Sequence, residues 1–316
     1  MDNGLLWTLL PLMAALLDLL LGDPPGWPHP VRFLGKAAAE LSPLVRTGGP
    51  GTQKAKGAAA ALLLAGAAGG TAWFLAAVPW LGLVLALYLA YAGLALGQLL
   101  REGRAALGLL ERGDLDGARR ALAMLVTRDT GDMDAPALRR ALAETLAENL
   151  NDAFAAPFLF LAVGGPAWLW IYKTVSTLDS MWGYRTEQWR HAGWFAARAD
   201  DVLAFVPARV TAFALLAAGW LLRMDWRAAY GHLLEDARKT ESPNAGWPMA
   251  AAAWLCGAAV GGPAVYFGQP KDKPVLGPAG SEWTDEKLGR LLTLCRAAGL
   301  LLAALAGLYA LLLKLM

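Results

Sequence analysis

The sequence predicts an all-α, polytopic integral membrane protein with about five to seven transmembrane or re-entrant helices joined by polar, site-forming connections. Three observations point there. Of the 316 residues, 57% are hydrophobic and only 17% charged, against roughly a quarter charged in soluble domains. The mean hydropathy is +0.40. Runs long enough for a span of about 20 mainly apolar residues recur at Leu5–Leu21, Ala58–Val78, Trp80–Leu100, Val202–Leu222, Met249–Phe267 and Ala297–Leu315. Ala153–Val175 is a further run, interrupted by Gly164-Gly165-Pro166. No alternating strand pattern of useful length appears, so the architecture is expected to be helical throughout, as a single membrane domain over residues 1–316.

Taken in order, the first run reads as a retained helix rather than a signal peptide, because Asp2 replaces a basic start and Asp18 lies inside it. Pro24, Pro25, Pro28 and Pro30 then stop the helix and stiffen the loop that carries Asp23, Trp27 and His29. Gly48-Gly49-Pro50-Gly51 reads as a flexible turn or linker. Residues 58–100 read as a helical hairpin turned near Pro79. Residues 101–152 are the longest polar stretch. The segment before the first run holds no Lys or Arg, so the N-terminus is expected outside and the two long basic connections inside. Counting crossings then puts residues 173–201 and 223–248 on opposite faces, although both carry dense polar chemistry. At least one middle run is therefore expected not to cross fully, either Ala153–Val175, where Gly-Gly-Pro can turn two half-helices back, or Val202–Leu222.

Several segments could carry chemistry. Asp134 suits a helix cap and Pro136 the first turn after it. Leu138, Leu142, Leu146 and Leu150 recur every four residues as one stripe, with Glu144, Glu148, Asn151 and Asp152 on the opposite face. That face reads either as ordinary solvated surface or as a carboxylate ladder for magnesium or an amine. Ser176–Arg185 sets hydroxyls and Asp179 beside Gly183, and Asp200-Asp201 and Pro207-Ala208-Arg209 follow; helix caps and turns explain these equally well. Trp182, Trp189 and Trp194 near Arg185, Arg190 and Arg198 suit a helix lying at the membrane interface. Lys239–Pro248 packs charge, hydroxyl, amide, glycine and two prolines just before an apolar run. Such density suits a polar ligand held at a membrane surface.

Other classes lack support. Cys256 and Cys295 read as small buried hydrophobes, and His29, His191 and His232 have no zinc-ligand spacing. A net charge of +2 gives no nucleic-acid footprint. Neither a G-x-x-x-x-G-K-[ST] loop nor a G-x-G-x-x-G fingerprint is present. A nucleotide would therefore be held by guanidinium and ammonium groups, with Arg128, Arg198, Arg209, Arg238 and Lys239 as candidates.

As an ordered set, these segments resemble the cobalamin-biosynthesis CobD/CbiB family, the adenosylcobinamide-phosphate synthases, from about residue 15 to about residue 277. The set comprises Asp18-x-x-x-Gly22-Asp23-Pro24 with Pro28-His29-Pro30-Val31, then Arg128-Asp129-Thr130 with Glu144-x-x-x-Glu148-Asn149-x-x-Asp152 and Pro157. Thr177-Leu178-Asp179-Ser180-Met181-x-Gly183-Tyr184 follows, then Ala197-Arg198-x-Asp200-Asp201 with Pro207-Ala208-Arg209. Last come Ser242–Pro248, Gly261-Gly262-Pro263, Tyr266-x-Gly268 and Lys273-Pro274-x-Leu276-Gly277. The chain departs from the family pattern at Ser176 and Ala204, each in place of Asn, at Arg185 in place of Lys, and at Met249 in place of Glu.

The resemblance implies ATP-dependent amide formation between adenosylcobyric acid, the adenosylcorrinoid substrate, and (R)-1-aminopropan-2-yl phosphate, with ATP and Mg2+ as cofactors. It implies catalytic roles for Glu144, Glu148, Asp152 and Asp179. It implies substrate or phosphate binding by Asp23, His29, Arg128, Asn149, Arg198, Arg209, Lys239, Ser242 and Asn244. Asp200 and Asp201, with Glu148 and Asp152 as further candidates, are expected to hold the metal. Membrane lipid is the expected surrounding, with a homo-oligomer or contacts with other corrinoid-pathway enzymes as candidate assemblies and no nucleic-acid partner. The expected location is the inner membrane, with the site on the cytoplasmic side. Two other classes stay open: a non-catalytic AmpE-like membrane sensor, and a small-molecule transporter, which the Gly-Gly-Pro interruptions at 164–166 and 261–263 would suit as paired breaks in two halves.

Overall fold

The structure is a computed structural model describing every residue except Met1, Asp2, Pro25, Arg185 and Met316, and leaving out the side chains of residues 3–5, 310–311 and 313–315. The expectations placed on Asp2, Pro25 and Arg185 thus lie outside the described residues. In chain order the elements are α1 (Asn3–Leu21), α2 (Pro30–Val45), α3 (Pro50–Ala76), α4 (Gly82–Ala92), α5 (Leu96–Glu111), α6 (Leu115–Ala123) and α7 (Ala135–Asn149). A π-helical turn (Leu150–Ala155) leads into α8 (Ala156–Trp182), α9 (Trp194–Leu203), α10 (Phe205–Leu221), α11 (Trp226–Ala237) and α12 (Gly246–Cys256). Strands β1 (Val260–Tyr266) and β2 (Gln269–Leu276) and helix α13 (Asp285–Leu315) complete the chain. The protein is thus overwhelmingly helical. Among the described residues, four segments could by length and composition cross a membrane: Pro50–Ala76, Gly82–Glu111, Ala135–Trp182 and Asp285–Tyr309. A fifth arises if α9 and α10 count as one span.

The elements fall into two compact units. The first holds residues 1–95, 156–204 and 303–316. Its centre is built by Ala38, Val45, Ala60, Ala61, Leu178 and Trp182, from α2, α3 and α8. Small residues allow the close approach: a Cβ at Gly69 would run into Ile171, and one at Gly57 into the Ala192 carbonyl. The Gly48–Gly51 patch is a defined helix start, with Gly49 as N-cap and Pro50 in the first turn. The hairpin turn near Pro79 forms as expected, between α3 and α4.

Helix α8 is broken where expected. Gly164 (φ −129°, ψ 15°) and Gly165 (φ 66°, ψ −165°) leave the helical region. The two halves are angled so that the Phe160 and Tyr172 rings stack at 4.9 Å. A straight helix would separate residues twelve apart by about 18 Å along its axis, so the bend at Gly-Gly-Pro is sharp.

The tryptophan-rich segment corrects the interfacial-helix expectation. Trp182 is fully buried at the end of α8, donates from Nε1 to Ser42 Oγ (3.0 Å) and stacks on Trp189 (5.9 Å). Residues 186–193 form turns rather than a helix. Only Trp194 is well exposed, with Lys54 over its ring at 5.2 Å.

The second unit holds residues 96–155 and 205–302. Asp134 caps α7 as predicted, accepting from the Ala137 N–H at 2.9 Å. The Leu138, Leu142, Leu146 and Leu150 stripe is completely buried; each such side chain contributes about 1.5–3 kcal/mol of hydrophobic stabilisation. Gly103 of α5 gives way to Leu146 and Leu292.

The expected span over Met249–Phe267 does not form. Its first part belongs to α12, eleven residues long, which ends at Gly257 in the left-handed conformation (φ 64°). The remainder enters the β1–β2 hairpin, which is antiparallel and irregular in register between Val260 and Gly262. Phe267 (φ 51°) and Gly268 (φ 73°) are the two turn residues, and positive φ at both is the geometry that matches strand twist. This hairpin is also the exception to the all-helical expectation. Because Gly261-Gly262-Pro263 lies in β1, it is not a helix break paired with Gly164-Gly165-Pro166, and the feature that favoured a transporter is gone.

Candidate functional site

In the second unit the polar face of α7 meets the hairpin. Glu144 is 1% exposed. Its Oε2 accepts from Arg128 Nη2 at 2.5 Å and from Lys273 Nζ at 2.9 Å, and its Oε1 from the Gly261 backbone N–H at 2.9 Å. The solvated-face reading therefore fails at Glu144. Burial opposes the charges on Arg128 and Lys273, but Glu144 outweighs it and holds both above their ordinary values. Arg128 also lies over the Tyr266 ring at 5.9 Å. The next residue, Asp129, clips the same hairpin: its N–H donates to the Val265 carbonyl (2.9 Å) and its carboxylate accepts from the Gly268 N–H (2.7 Å).

One helical turn beyond Glu144 stands Glu148, partly buried and, among the described residues, without a hydrogen bond or ion pair. It feels the charges of Asp152, Lys273, Glu144 and Arg128. Asp152 sits in the π-helical turn and accepts from Asn151 Nδ2 at 2.7 Å, while Asn151 Oδ1 accepts from the Thr211 hydroxyl at 3.0 Å. Such π-helical turns occur often at functional sites. Asn149 instead donates to Thr145 Oγ1 (2.8 Å). Among the described residues no group of three or more His, Cys, Asp or Glu converges as a metal cage. Hard oxygen donors one turn apart, such as Glu148 and Asp152, fit magnesium held by one or two carboxylates together with a substrate phosphate.

A second cluster surrounds the Lys239–Pro248 segment. Arg209 donates from Nη1 to the Phe205 carbonyl (2.6 Å) and Asn244 Oδ1 (3.0 Å), and from Nη2 to the Pro243 carbonyl (3.3 Å). Its guanidinium also faces the Phe205 and Trp247 rings at 3.4 and 4.6 Å. Ser242 Oγ accepts from the Asn244 and Ala245 N–H groups (3.2 and 3.3 Å), shaping the entry to α12. Arg209, Arg238, Thr240, Ser242 and Trp247 line a cavity of about 380 Å³.

Lys239 is committed elsewhere: its Nζ pairs with Asp236 Oδ1 at 2.5 Å and Glu235 Oε1 at 3.5 Å. The buried Asp236 also accepts from Trp254 Nε1 and the Gly277 N–H, both at 2.7 Å. Burial works against its charge, yet these donors, with Lys239 foremost, hold its carboxyl below its ordinary value.

The remaining candidates belong to the first unit. His29 Nε2 lies 3.5 Å from Asp23 Oδ1, on a loop whose Gly22 and Pro28 carbonyls accept from the Tyr91 and Tyr88 hydroxyls. Asp179 lies near the end of α8, where a Cβ at Gly183 would run into its carboxylate. Arg198 and Asp201 form an ion pair at 3.3 Å on α9, with Asp200 between them in sequence. Two of the departures from the family pattern are buried apolar positions, Ala204 at the end of α9 and Met249 in α12.

A model of the family described as CobD/Cbib protein matches residues 11–295. The chain belongs to this family. Among CobD/CbiB relatives, one from Geobacter metallireducens named "Cobalamin biosynthesis protein CobD" is 42% identical over 274 residues, covering 84% of this chain and 85% of the relative. A protein of the same name from Photorhabdus laumondii is 39% identical over 272 residues, with 84% and 85% covered. "Cobalamin biosynthesis protein CbiB" from Salmonella typhimurium is 35% identical over 308 residues, with 93% and 94% covered. No solved structure matches the chain. Two of the CobD/CbiB motifs thus have spatial reasons: Arg128, Glu144, Gly261 and Lys273 form one knot, and Asp129 is pinned to Gly268. Lys273 and Gly261 received no role from sequence reasoning, and Asp236 was missed altogether. Strand β2 carries two lysines, Lys271 and Lys273, and nothing local marks Lys273 as the one that meets Glu144.

Proposed function

We propose that the protein acts in cobalamin biosynthesis in the inner membrane, with its site on the cytoplasmic side. It would join adenosylcobyric acid and (R)-1-aminopropan-2-yl phosphate into adenosylcobinamide phosphate with consumption of ATP. The observation that carries this reading is the knot on Glu144, which gathers two cations from distant parts of the chain beside an unengaged carboxylate, Glu148.

A carboxylate is a poor acyl donor because oxide is a poor leaving group. Transfer of the γ-phosphoryl group to a carboxylate oxygen of the corrinoid releases ADP and leaves an acyl phosphate. Attack by the amine nitrogen on the acyl carbon then expels inorganic phosphate and forms the amide. In this scheme Arg128 and Lys273 face developing phosphoryl charge, with Glu144 positioning both. Glu148 takes the proton the amine must lose, since only the neutral amine attacks. Magnesium bound with the nucleotide would offset phosphate charge, and Glu148 and Asp152 are the oxygen donors suited to it. Asp179, Asp200 and Asp201 are proposed as a second carboxylate set, and Asp23, His29 and Arg198 as substrate contacts.

The test is reconstitution in detergent with adenosylcobyric acid, the amino-alcohol phosphate and magnesium ATP. Mass spectrometry should find adenosylcobinamide phosphate only when all three are present. No product from folded protein, with a related synthase active in parallel, would reject the reading in favour of a non-catalytic membrane sensor.

A further inference from the structure

The cavity beside α12 offers donors without a carboxylate to neutralise them. Arg209 spends three of a guanidinium's five N–H donors on neutral oxygens, those of Phe205, Pro243 and Asn244. Nε–H and one Nη2–H remain, and a guanidinium N–H makes its strongest hydrogen bonds to an oxyanion. The group is fixed in place between those acceptors and the Phe205 and Trp247 rings. Ser242 Oγ already accepts two backbone N–H groups, so its own proton is left to donate outward. The exposed Arg238 on the same cavity makes no hydrogen bond or ion pair among the described residues. The carboxylates nearest in sequence are spoken for: Asp236 and Glu235 by Lys239, and Glu241 by Lys271 at 3.0 Å. Two guanidinium charges and a directed hydroxyl thus face a space of about 380 Å³ whose walls include Trp247 and Phe205.

We infer that this cavity binds the phosphate of a small organic phosphate ester, with Arg209 and Arg238 sharing the dianion, Ser242 donating to it, and the organic part lying against Trp247 and Phe205. A twofold positive site matches a phosphate dianion better than a monoanionic carboxylate. This deepens, and rests on, the synthase reading, which supplies two phosphate sources: the amino-alcohol phosphate and the nucleotide.

The test is calorimetry on the full chain in detergent, titrating (R)-1-aminopropan-2-yl phosphate and ATP separately. Wild type is compared with Arg238→Gln, Arg209→Gln and the control Arg227→Gln, which removes one exposed charge at the other end of the same helix. Arg238 holds no structural contact, so its variant should melt like wild type. Its affinity for one or both ligands should fall at least about tenfold, the loss of one charge-assisted contact. The ligand that weakens identifies the source of the phosphate. Unchanged affinity for both in Arg238→Gln, an equal drop in Arg227→Gln, or no binding of either ligand to wild type would overturn the inference. Because binding is read without turnover, binding with no product would sink the synthase reading alone, and product with unchanged Arg238→Gln affinities would sink the cavity assignment alone.

Discussion

Glu144 and Lys273 stand 129 residues apart in the chain, yet Oε2 and Nζ lie 2.9 Å apart. The contact ties the middle of α7 to the second strand of the hairpin, and Arg128 closes on the same oxygen from the other side. A glutamate that is 1% exposed and bound to two cations is well placed to position its neighbours and poorly placed to exchange protons. Glu148, a turn later, has the opposite character.

The two glutamates should therefore separate in a paired experiment. Glu144→Gln keeps an acceptor for the Gly261 N–H but strands Arg128, whose side chain is only 8% exposed. Breaking a buried pair by removing one partner costs about 3–5 kcal/mol, so its melting temperature should drop well below wild type. Glu148→Gln should melt within a degree or two of wild type, roughly the ±0.5 kcal/mol of a change that breaks no contact, while product formation falls about 10²–10⁴-fold. Wild-type turnover in Glu148→Gln would remove it from the machinery.

The Asp236 clasp predicts a specific acid limb. Its folded carboxyl is held below the ordinary value of 3.8, so its stabilisation is complete above that pH and is lost as pH falls through the folded value. Lys239, raised above 10.5 by the hydrogen bond it donates to Asp236 and by the charges around it, behaves in reverse. Its share is complete below 10.5 and is lost as pH rises through the folded value. Asp236→Asn should lower the melting temperature throughout the range between. The gap from wild type should narrow only below about pH 4 and again at strongly alkaline pH. A gap that stays constant down to pH 3 would show that the carboxylate charge contributes nothing.

Gly165 allows a test of the break in α8. Its φ of 66° and ψ of −165° lie in a region open essentially to glycine alone. No atom stands within 4 Å of an added Cβ, so Gly165→Ala carries a backbone penalty and no clash. Stability should fall by about 1–3 kcal/mol, and the Phe160–Tyr172 stack should loosen, read as a changed near-ultraviolet signal. An alanine variant as stable as wild type would mean that α8 is not held in this bend.

These contrasts mark how far the sequence could be read. Apolar runs gave the helices because length and composition alone decide them, and the Asp134 cap and the Gly164-Gly165 break are local events with local signatures. The hairpin was invisible because Met249–Phe267 is equally apolar whether it forms one helix or a helix followed by a strand. Its turn also uses Phe267 at positive φ, where Asn or Gly would have announced it. The roles of Glu144 and Lys239 were illegible for another reason. Whether a charged side chain is free or spent depends on partners that only the tertiary fold supplies, as Lys273 does for Glu144.

The hairpin's own glycines give the last prediction. Gly261 and Gly262 both sit at positive φ, 93° and 78°, so alanine at either position pays the left-handed penalty of about 1–2 kcal/mol. Only at Gly261 does the new Cβ also meet backbone, the Pro274 carbonyl on the partner strand; at Gly262 it meets nothing within 4 Å. Relief of that clash must push β1 from β2, and the Gly261 N–H is the donor to Glu144 Oε1. Gly262→Ala should therefore cost stability alone and keep most of its turnover once folded. Gly261→Ala should melt lower still and lose turnover out of proportion to its folded fraction, because once the strands part, Gly261 of β1 and Lys273 of β2 can no longer both hold Glu144. Equal melting temperatures and equal turnover in the two variants would show that the hairpin does not position the site.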